Sequence, residues 1–360
     1  MACFHPKKGF IVGTTDSGKP KYKILPWEYT YCEKTSEGWK GFTGDPPARL
    51  VSSDLECRCG RVVSFVPIPC GNCIGCRLDY ARDWSARLMH ELSMHDPDTC
   101  WFLTLTYDDD ALMETFTDPT VDRLRLGADH LGEAVFYPNL DARDMTLFWK
   151  RVRKDFPDRK LVYYQAGEYG EKRQRCHYHA IVYDLPLDPS ELHVNGVNEL
   201  GNVTWRSDYL ERKWQHGNVI VGKVTTESCA YVARYTLKKA KEMWENDFTN
   251  RVRPFVRMSR NPGIGKTYLQ NHPEIFDVSR FSVPSQKDRP LMVPHPRYYM
   301  KYLESIDPDR FSQLKLDRGV AGRLAYENLI KSDDRDYLTI LKSKEVDLLA
   351  RCAKMKRKLD

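Results

Sequence analysis

The chain contains no run of about 18 consecutive apolar residues, the minimum for a membrane-spanning helix. A helical membrane protein is thereby excluded, and no membrane partner is expected. The N-terminus, MACFHPKKGF, lacks the apolar segment of a secretory leader. Internal repeats and low-complexity tracts are absent as well, which excludes solenoid architectures. Nor is there a strong charge imbalance: 56 Lys and Arg stand against 50 Asp and Glu, a net charge of +6. That balance permits a nucleic-acid partner without demanding one. What is present is 360 residues, 41% of them hydrophobic. This length holds two or three domains, or one core domain with large elaborations. Cysteine is plentiful, at an odd count of 11. In a chain expected to stay in a reducing cytoplasm, clustered cysteines point to metal before disulfide.

Residues 1–69 read as irregular, with short strand-like runs, and PCGNCIGC follows at 69–76. A helical pattern runs from about Arg77 to His95, with Leu78, Ala81, Leu88, Met89 and Leu92 as its apolar stripe. WFLTLTY at 101–107 alternates like a strand, and 108–139 reads as loop. DARDMTLFWKRVRKDF at 141–156 is a helix, acidic first and basic last. KLVYYQA at 160–166 and RCHYHAIVY at 175–183 are strands separated by a polar turn, hence a hairpin. Residues 184–223 form a polar insertion with weak strand signals at 202–205 and 218–221. A strong helix covers 225–244, a basic irregular stretch covers 245–295, and helical patterns occupy about 296–304, 309–331 and 334–357. Helices set against a mainly antiparallel sheet make an α+β plan, for which a split βαβ arrangement is one solution. The expected division is 1–98, a cysteine-rich segment with a basic helix; 99–245, the core; and 246–360, a basic loop with C-terminal helices.

Strand side chains alternate, so His177 and His179 share a face with Ile181 and Tyr183. The plain account of one such pair is two core histidines. The chemical account is a metal site, because two imidazoles at i and i+2 on a rigid strand are already aimed together. A third ligand then comes from the paired strand: Glu168 first, with Gln165 as the fallback. Two histidines and a carboxylate suit Mg²⁺, Mn²⁺ or another divalent ion. On the helix at 225–244, Tyr231 and Tyr235 are four residues apart and share a face, with Lys238 on the same side. Two such phenols are either a packing stripe or a pair of nucleophiles assisted by an ammonium group.

In order, FLTLTY, CHYHAIVY and YVARYTLKK resemble the three motifs of HUH-family rolling-circle replication initiators, in the version with two tyrosines. The set is similar to the initiators of the Microviridae, the gokushovirus branch in particular. CFHP at 3–6, PCGNCIGCRL, GEYG and MSRNPGIGKTYL at 258–269 also resemble that group, so the likeness spans roughly 1–270. It implies an HUH endonuclease fold, with a central antiparallel sheet flanked by helices. It further implies cleavage of single-stranded origin DNA by tyrosine, through a 5′-phosphotyrosine, in the cytoplasm of a bacterial host and beside its helicase and polymerase. Carried over by motif, His177 and His179 bind the metal, and Tyr231 and Tyr235 are alternating nucleophiles. Lys238 is chosen as accessory cation, and the motif of Thr104 and Thr106 is given a structural role only. A plasmid-type relaxase often places its histidines after the tyrosine, the reverse of this order. A non-enzymatic zinc-containing nucleic-acid-binding protein would have no need of His177, His179, Tyr231 and Tyr235.

Cys70, Cys73 and Cys76 are spaced C-x2-C-x2-C, which suits structural zinc. The fourth ligand is open: spacing favours Cys57 or Cys59, and the resemblance of CFHP favours Cys3. NPGIGKT at 261–267 imitates a phosphate-binding loop, but Arg260 stands where the first glycine belongs, and no strand precedes it. A basic loop touching DNA is the expected role.

Overall fold

A computed structural model describes residues 3–16, 20–46, 60–129, 131–170, 174–198, 201–234, 250–283 and 290–354. The chain divides into two compact units, Met1–Asp79 with Glu327–Lys354, and Tyr80–Tyr326. The first unit holds β1 (Lys7–Thr14), β2 (Pro20–Leu25), β3 (Tyr31–Thr35), β4 (Gly38–Phe42), β5 (Arg61–Val62) and β6 (Phe65–Ile68). These make two three-stranded antiparallel sheets, ordered β2-β1-β6 and β4-β3-β5, around buried Phe10, Cys32 and Val62. The segment is therefore more regular than its sequence suggests. Its strands are short and half exposed, so few positions carry the apolar alternation that marks a strand. Helix α1 (Ile74–Leu92) begins in this unit and continues into the second.

The second unit continues through β7 (Trp101–Tyr107), α2 (Asp109–Met113), β8 (Leu124–Ala128), β9 (Ala134–Pro138), α3 (Ala142–Asp155), β10 (Val162–Tyr169) and β11 (Cys176–Tyr183). Next come β12 (Leu192–Val197), β13 (Val203–Ser207), α4 (Asp208–Trp214), β14 (Gly217–Lys223), α5 (Thr226–Arg234) and β15 (Phe255–Met258). It closes with α6 (Lys266–Asn271), β16 (Arg280–Val283), β17 (Leu291–Pro294), α7 (Arg297–Ile306) and α8 (Pro308–Lys331). The last helix, α9 (Tyr337–Lys354), belongs to the first unit.

Among the described residues the central sheet has seven strands, ordered β12-β13-β14-β7-β11-β10-β15, with every pairing antiparallel. The fold is thus α+β with a large antiparallel sheet. Strand β11 is interior and covered on both faces. Cys176, Tyr178, Ala180 and Val182 pack with Met145, Phe148 and Val152 of α3 and Trp214 of α4. On the other face Ile181 and Tyr183 pack with Trp84 and Leu88 of α1 and Cys229 and Val232 of α5. Burying a side chain such as Phe148, fully enclosed here, contributes about 2 kcal/mol. The start of α3 is capped by Asp141, whose carboxylate accepts from Arg143 N, a contact worth about 1 kcal/mol.

A buried polar network on the α3 face fixes β11 further. Arg123 donates to both carboxylate oxygens of Asp144, at 2.7 and 3.1 Å, and Tyr107 Oη donates to the same group at 2.7 Å. Tyr107 and Tyr178 share a hydroxyl contact of 2.9 Å, and Asp141 N donates to Tyr178 Oη at 2.8 Å. Burial pushes the Asp144 carboxyl up, but the Arg123 and Tyr107 hydrogen bonds outweigh it and hold the group below the usual carboxylate range. Tyr178, the residue between the two histidines, is therefore anchored on the opposite face from them.

Candidate active site

The β10–β11 register sets Glu168 directly across from His177, and Ala166 across from His179. Cross-strand partners share a face, so Glu168 and both imidazoles stand together. His179 Nε2 lies 3.2 Å from Glu168 Oε1, and the two residues are only 5% and 3% exposed. A buried carboxylate needs a partner, and here it has an imidazole. Gln165 faces the other way. It is opposite Ala180, and its side-chain oxygen accepts from Trp149 Nε1. The fallback ligand is thereby corrected: an offset of three residues from Glu168 reverses the face.

The partner strand on the other side, β7, sets Thr104 across from His179 and Thr106 across from His177. Their hydroxyls lie 3.1 and 3.5 Å from the respective Nδ1 atoms. A hydroxyl can donate or accept, so it serves either imidazole tautomer. With the proton on Nδ1, each ring is braced and its Nε2 lone pair is offered outward, as a ligand requires. These threonines were assigned no chemistry from sequence. The signal was there: T-x-T has the same two-residue period as H-x-H. Gly170, at the end of the GEYG stretch, is a further contributor. A Cβ placed there would come within 2.7 Å of His177 Nε2, so the bare glycine leaves room for the ring.

Helix α5 brings Tyr231 to this face. Thr225 starts the helix through a reciprocal pair with Ser228: Ser228 N donates to Thr225 Oγ1 at 3.2 Å, and Thr225 N donates to Ser228 Oγ at 2.8 Å. The Tyr231 ring is buried edge-on to His179, with centroids 5.2 Å apart at 88°. Phe102 stacks against His179 at 5.7 Å and completes the aromatic wall. Tyr235 and Lys238 lie outside the described residues.

A second cluster sits in the first unit. The sulfurs of Cys3, Cys70, Cys73 and Cys76 all lie within 4.8 Å of one another, and among the described residues this is the set of potential ligands so gathered. Phe4 N donates to Cys73 Sγ at 3.3 Å, and Cys70 N donates to Cys3 Sγ at 3.2 Å. Burial opposes ionisation of Cys73, but the N–H groups of Cys76 and Phe4 prevail and hold its thiol at about 7. Burial pushes the Cys3 thiol up to about 11. A cluster of this kind could bind a metal. Cys3 fills the fourth place, while Cys57 and Cys59 lie outside the described residues.

The NPGIGKT loop is otherwise engaged. Gly265 N donates to the buried carboxylate of Glu91, and Arg87 donates to Ile264 O at 3.1 and 2.9 Å. An amide already paired with a carboxylate is not a phosphate cradle.

A sheet carrying paired imidazoles, a carboxylate and an adjacent tyrosine is the setting in which comparison with known proteins becomes informative. Residues 100–240 match a family model described as a replication-associated protein of the ORF2 type. Together with the relatives below, this establishes that the chain belongs to the phage replication-associated protein family. Replication-associated protein VP4 of Bdellovibrio phage phiMH2K is 32% identical over 253 residues, covering 68% of this chain and 70% of that one. Replication-associated protein ORF2 of Spiroplasma virus 4 is 28% identical over 292 residues, 76% and 83% of the two chains. Replication-associated protein ORF4 of Chlamydia phage 1 is 30% identical over 178 residues, covering 48% and 38%. No solved structure matches the chain. None of the helices among the described residues is long and apolar enough to cross a membrane.

Proposed function

We propose that this protein is a metal-dependent endonuclease and strand transferase that opens and rejoins single-stranded DNA in phage rolling-circle replication, with residues 99–245 as its HUH-type core. The observation that carries the reading is Tyr231 packed edge-on against His179, itself braced by Thr104 and touching Glu168. His177, His179 and Glu168 would hold a divalent cation, Mg²⁺ or Mn²⁺. Their donor set fits one, since both Nδ1 atoms are partnered by threonines and a buried carboxylate stands beside Nε2. When bound, such an ion supplies Lewis-acid polarisation of a phosphodiester.

The chain's own residues do the rest. The phenolic oxygen of Tyr231 attacks phosphorus and loses its proton. The bond from phosphorus to the 3′ oxygen breaks, and that oxygen gains a proton. A 5′-phosphotyrosine and a free 3′-hydroxyl result. Tyr235, one turn further along in sequence, is the second nucleophile, needed because the first remains bonded to DNA. Lys238 is the accessory cation. The four-cysteine cluster fits a structural zinc ion. The protein would act in the host bacterial cytoplasm with host helicase and polymerase.

Mass spectrometry of the covalent complex tests this. Wild type incubated with single-stranded phage-origin DNA should form an adduct mapped to Tyr231 or Tyr235. Tyr231→Phe and Tyr235→Phe should each retain some adduct but lose circle release, and the double variant should form none. DNA binding with no adduct in wild type would leave a non-enzymatic nucleic-acid-binding protein. An adduct that never maps to one of the two tyrosines would end the alternating scheme.

A further inference from the structure

Two hollows open along the β15 edge of the central sheet, well away from the histidines. One, of about 460 Å³, is lined by Arg153, Arg159, Lys160, Tyr163 and Arg260 among others. The second, of about 490 Å³, is lined by Arg253 and Arg257 beside Pro254 and Phe255. No carboxylate lines either hollow. The site is anchored: Ser259 N donates to Tyr163 O at 2.9 Å, and Tyr163 N donates to Ser259 Oγ at 3.1 Å. The Tyr163 ring stacks on Trp149 at 4.6 Å and carries the Arg153 guanidinium at 5.2 Å.

The charge here is not neutralised. Arg153, Arg159, Lys160, Arg253 and Arg260 form no ion pair among the described residues. Arg257 donates only to Ala142 O and Thr146 Oγ1, at 3.4 and 3.3 Å. Elsewhere in this unit arginines are matched, as in Arg125–Asp122, Arg175–Asp109, Arg206–Glu211 and Arg212–Glu191. Charged residues on an edge strand also deter unwanted strand pairing. That accounts for Arg253 and Arg257, but not for Arg153, Arg159 and Lys160, which lie on α3 and the turn after it. Neighbouring Asp158 is exposed and lines neither hollow.

We infer that this edge is a second binding track, for the phosphates of single-stranded DNA flanking the cut. The inference rests on the proposed DNA chemistry and extends it to a separate surface. Tyr163 and Glu168 are five residues apart on β10, about 17 Å. At about 3.4 Å of strand per nucleotide, the track engages DNA at least on the order of five nucleotides from the histidines. Substrates too short to reach it are cut without its help.

The test is the triple variant Arg159→Glu, Lys160→Glu, Arg260→Glu, with an Arg159→Gln, Lys160→Gln, Arg260→Gln version read if the first fails to fold. Binding is measured by fluorescence anisotropy from about 50 to 200 mM salt, the range over which phosphate contacts declare themselves. The probes are an oligonucleotide of about six nucleotides and the same sequence extended to about 20, the upper length exceeding the span of one binding fold. For the long probe the salt slope should fall by about 2, since each lost phosphate contact on a single strand removes about 0.7. Affinity for it should drop at least about tenfold at the lower salt, while cleavage of the short probe stays within experimental error. A control triple, Lys331→Glu, Lys342→Glu, Lys344→Glu, should leave the slope unchanged. An unchanged slope in the folded edge variant overturns the inference. So does an equal loss in the control, an equal loss on the short probe, or a loss confined to duplex DNA. If wild type cuts neither probe, the proposed chemistry fails, while the binding comparison still decides this track.

Discussion

Thr104 and Thr106 hold the imidazoles that the sequence singles out, and they make the sharpest residue-scale test. Thr104→Val keeps the shape and removes the hydroxyl that braces His179 Nδ1. Loss of such an outer partner costs about 10- to 100-fold in metal affinity or activity. DNA cleavage should fall by that range with secondary structure unchanged by circular dichroism, and Thr104→Ser should recover most of it. Gly170→Ala is the complementary case. The added methyl must displace the His177 ring, whose Nε2 would lie 2.7 Å from it. Cleavage should drop by about tenfold or more, with less effect on the melting temperature than on rate. Wild-type rates from either variant would show that ring placement is not limiting. At this scale the site was partly legible. Alternation alone aligned His177 with His179, and the hairpin supplied Glu168. What alternation could not supply was the identity of the other neighbouring strand, because Thr104 and His179 are 75 residues apart.

At the scale of elements, two corners give predictions. The four-cysteine corner ties the N-terminal segment to the start of α1 and packs against Leu348 of α9, all within the first unit. About one zinc ion per chain should be found by elemental analysis of protein purified without added metal, and Cys73→Ser should lose it. Free alkylation of all four native cysteines with no zinc present would refute the site. The other corner surrounds His90 of α1, which stacks on Tyr268 of α6 at 3.9 Å and contacts Tyr299 Oη of α7 at 2.9 Å. Burial, with a smaller push from the charge of His272, lowers its pKa from 6.5 to about 4. A lowered histidine pKa means the fold prefers the neutral ring. Its contribution is complete above pH 6.5 and is lost as pH falls towards 4, up to about 3 kcal/mol. Chemical denaturation should therefore show stability declining through that window, and His90→Gln should flatten the decline. An unaltered pH profile in the variant would remove His90 from the account. Periodicity located α1, α3, α7, α8 and α9 within a few residues. It missed α2 with the β8–β9 hairpin, and it rated β12 to β14 as weak. The hairpin lies outside the central sheet with Leu126 and Phe136 exposed, and β12 leaves Val194 and Val197 in solvent, so neither shows the buried alternation by which strands are recognised.

For the molecule as a whole, the seven-stranded sheet is a product of distant pairings. Strand β7 is bonded to β11 and β14, while β11 and β10 close as a local hairpin. Local pairs form early, and contacts across long stretches of chain form late. The Glu168–His179 contact spans 11 residues, whereas the Thr106–His177 and Thr104–His179 contacts span 71 and 75. On dilution from denaturant, hairpin structure should therefore appear before the ability to cut DNA, with the lag measured by stopped-flow fluorescence against quenched cleavage assays. Simultaneous recovery would contradict it. The threonine brace thus acts as a checkpoint on assembly. A half-folded chain already carries histidines, carboxylate and tyrosine, but its rings are unaimed. Under the proposed chemistry, strand breakage is withheld from immature copies of the protein and becomes a property of the finished sheet alone.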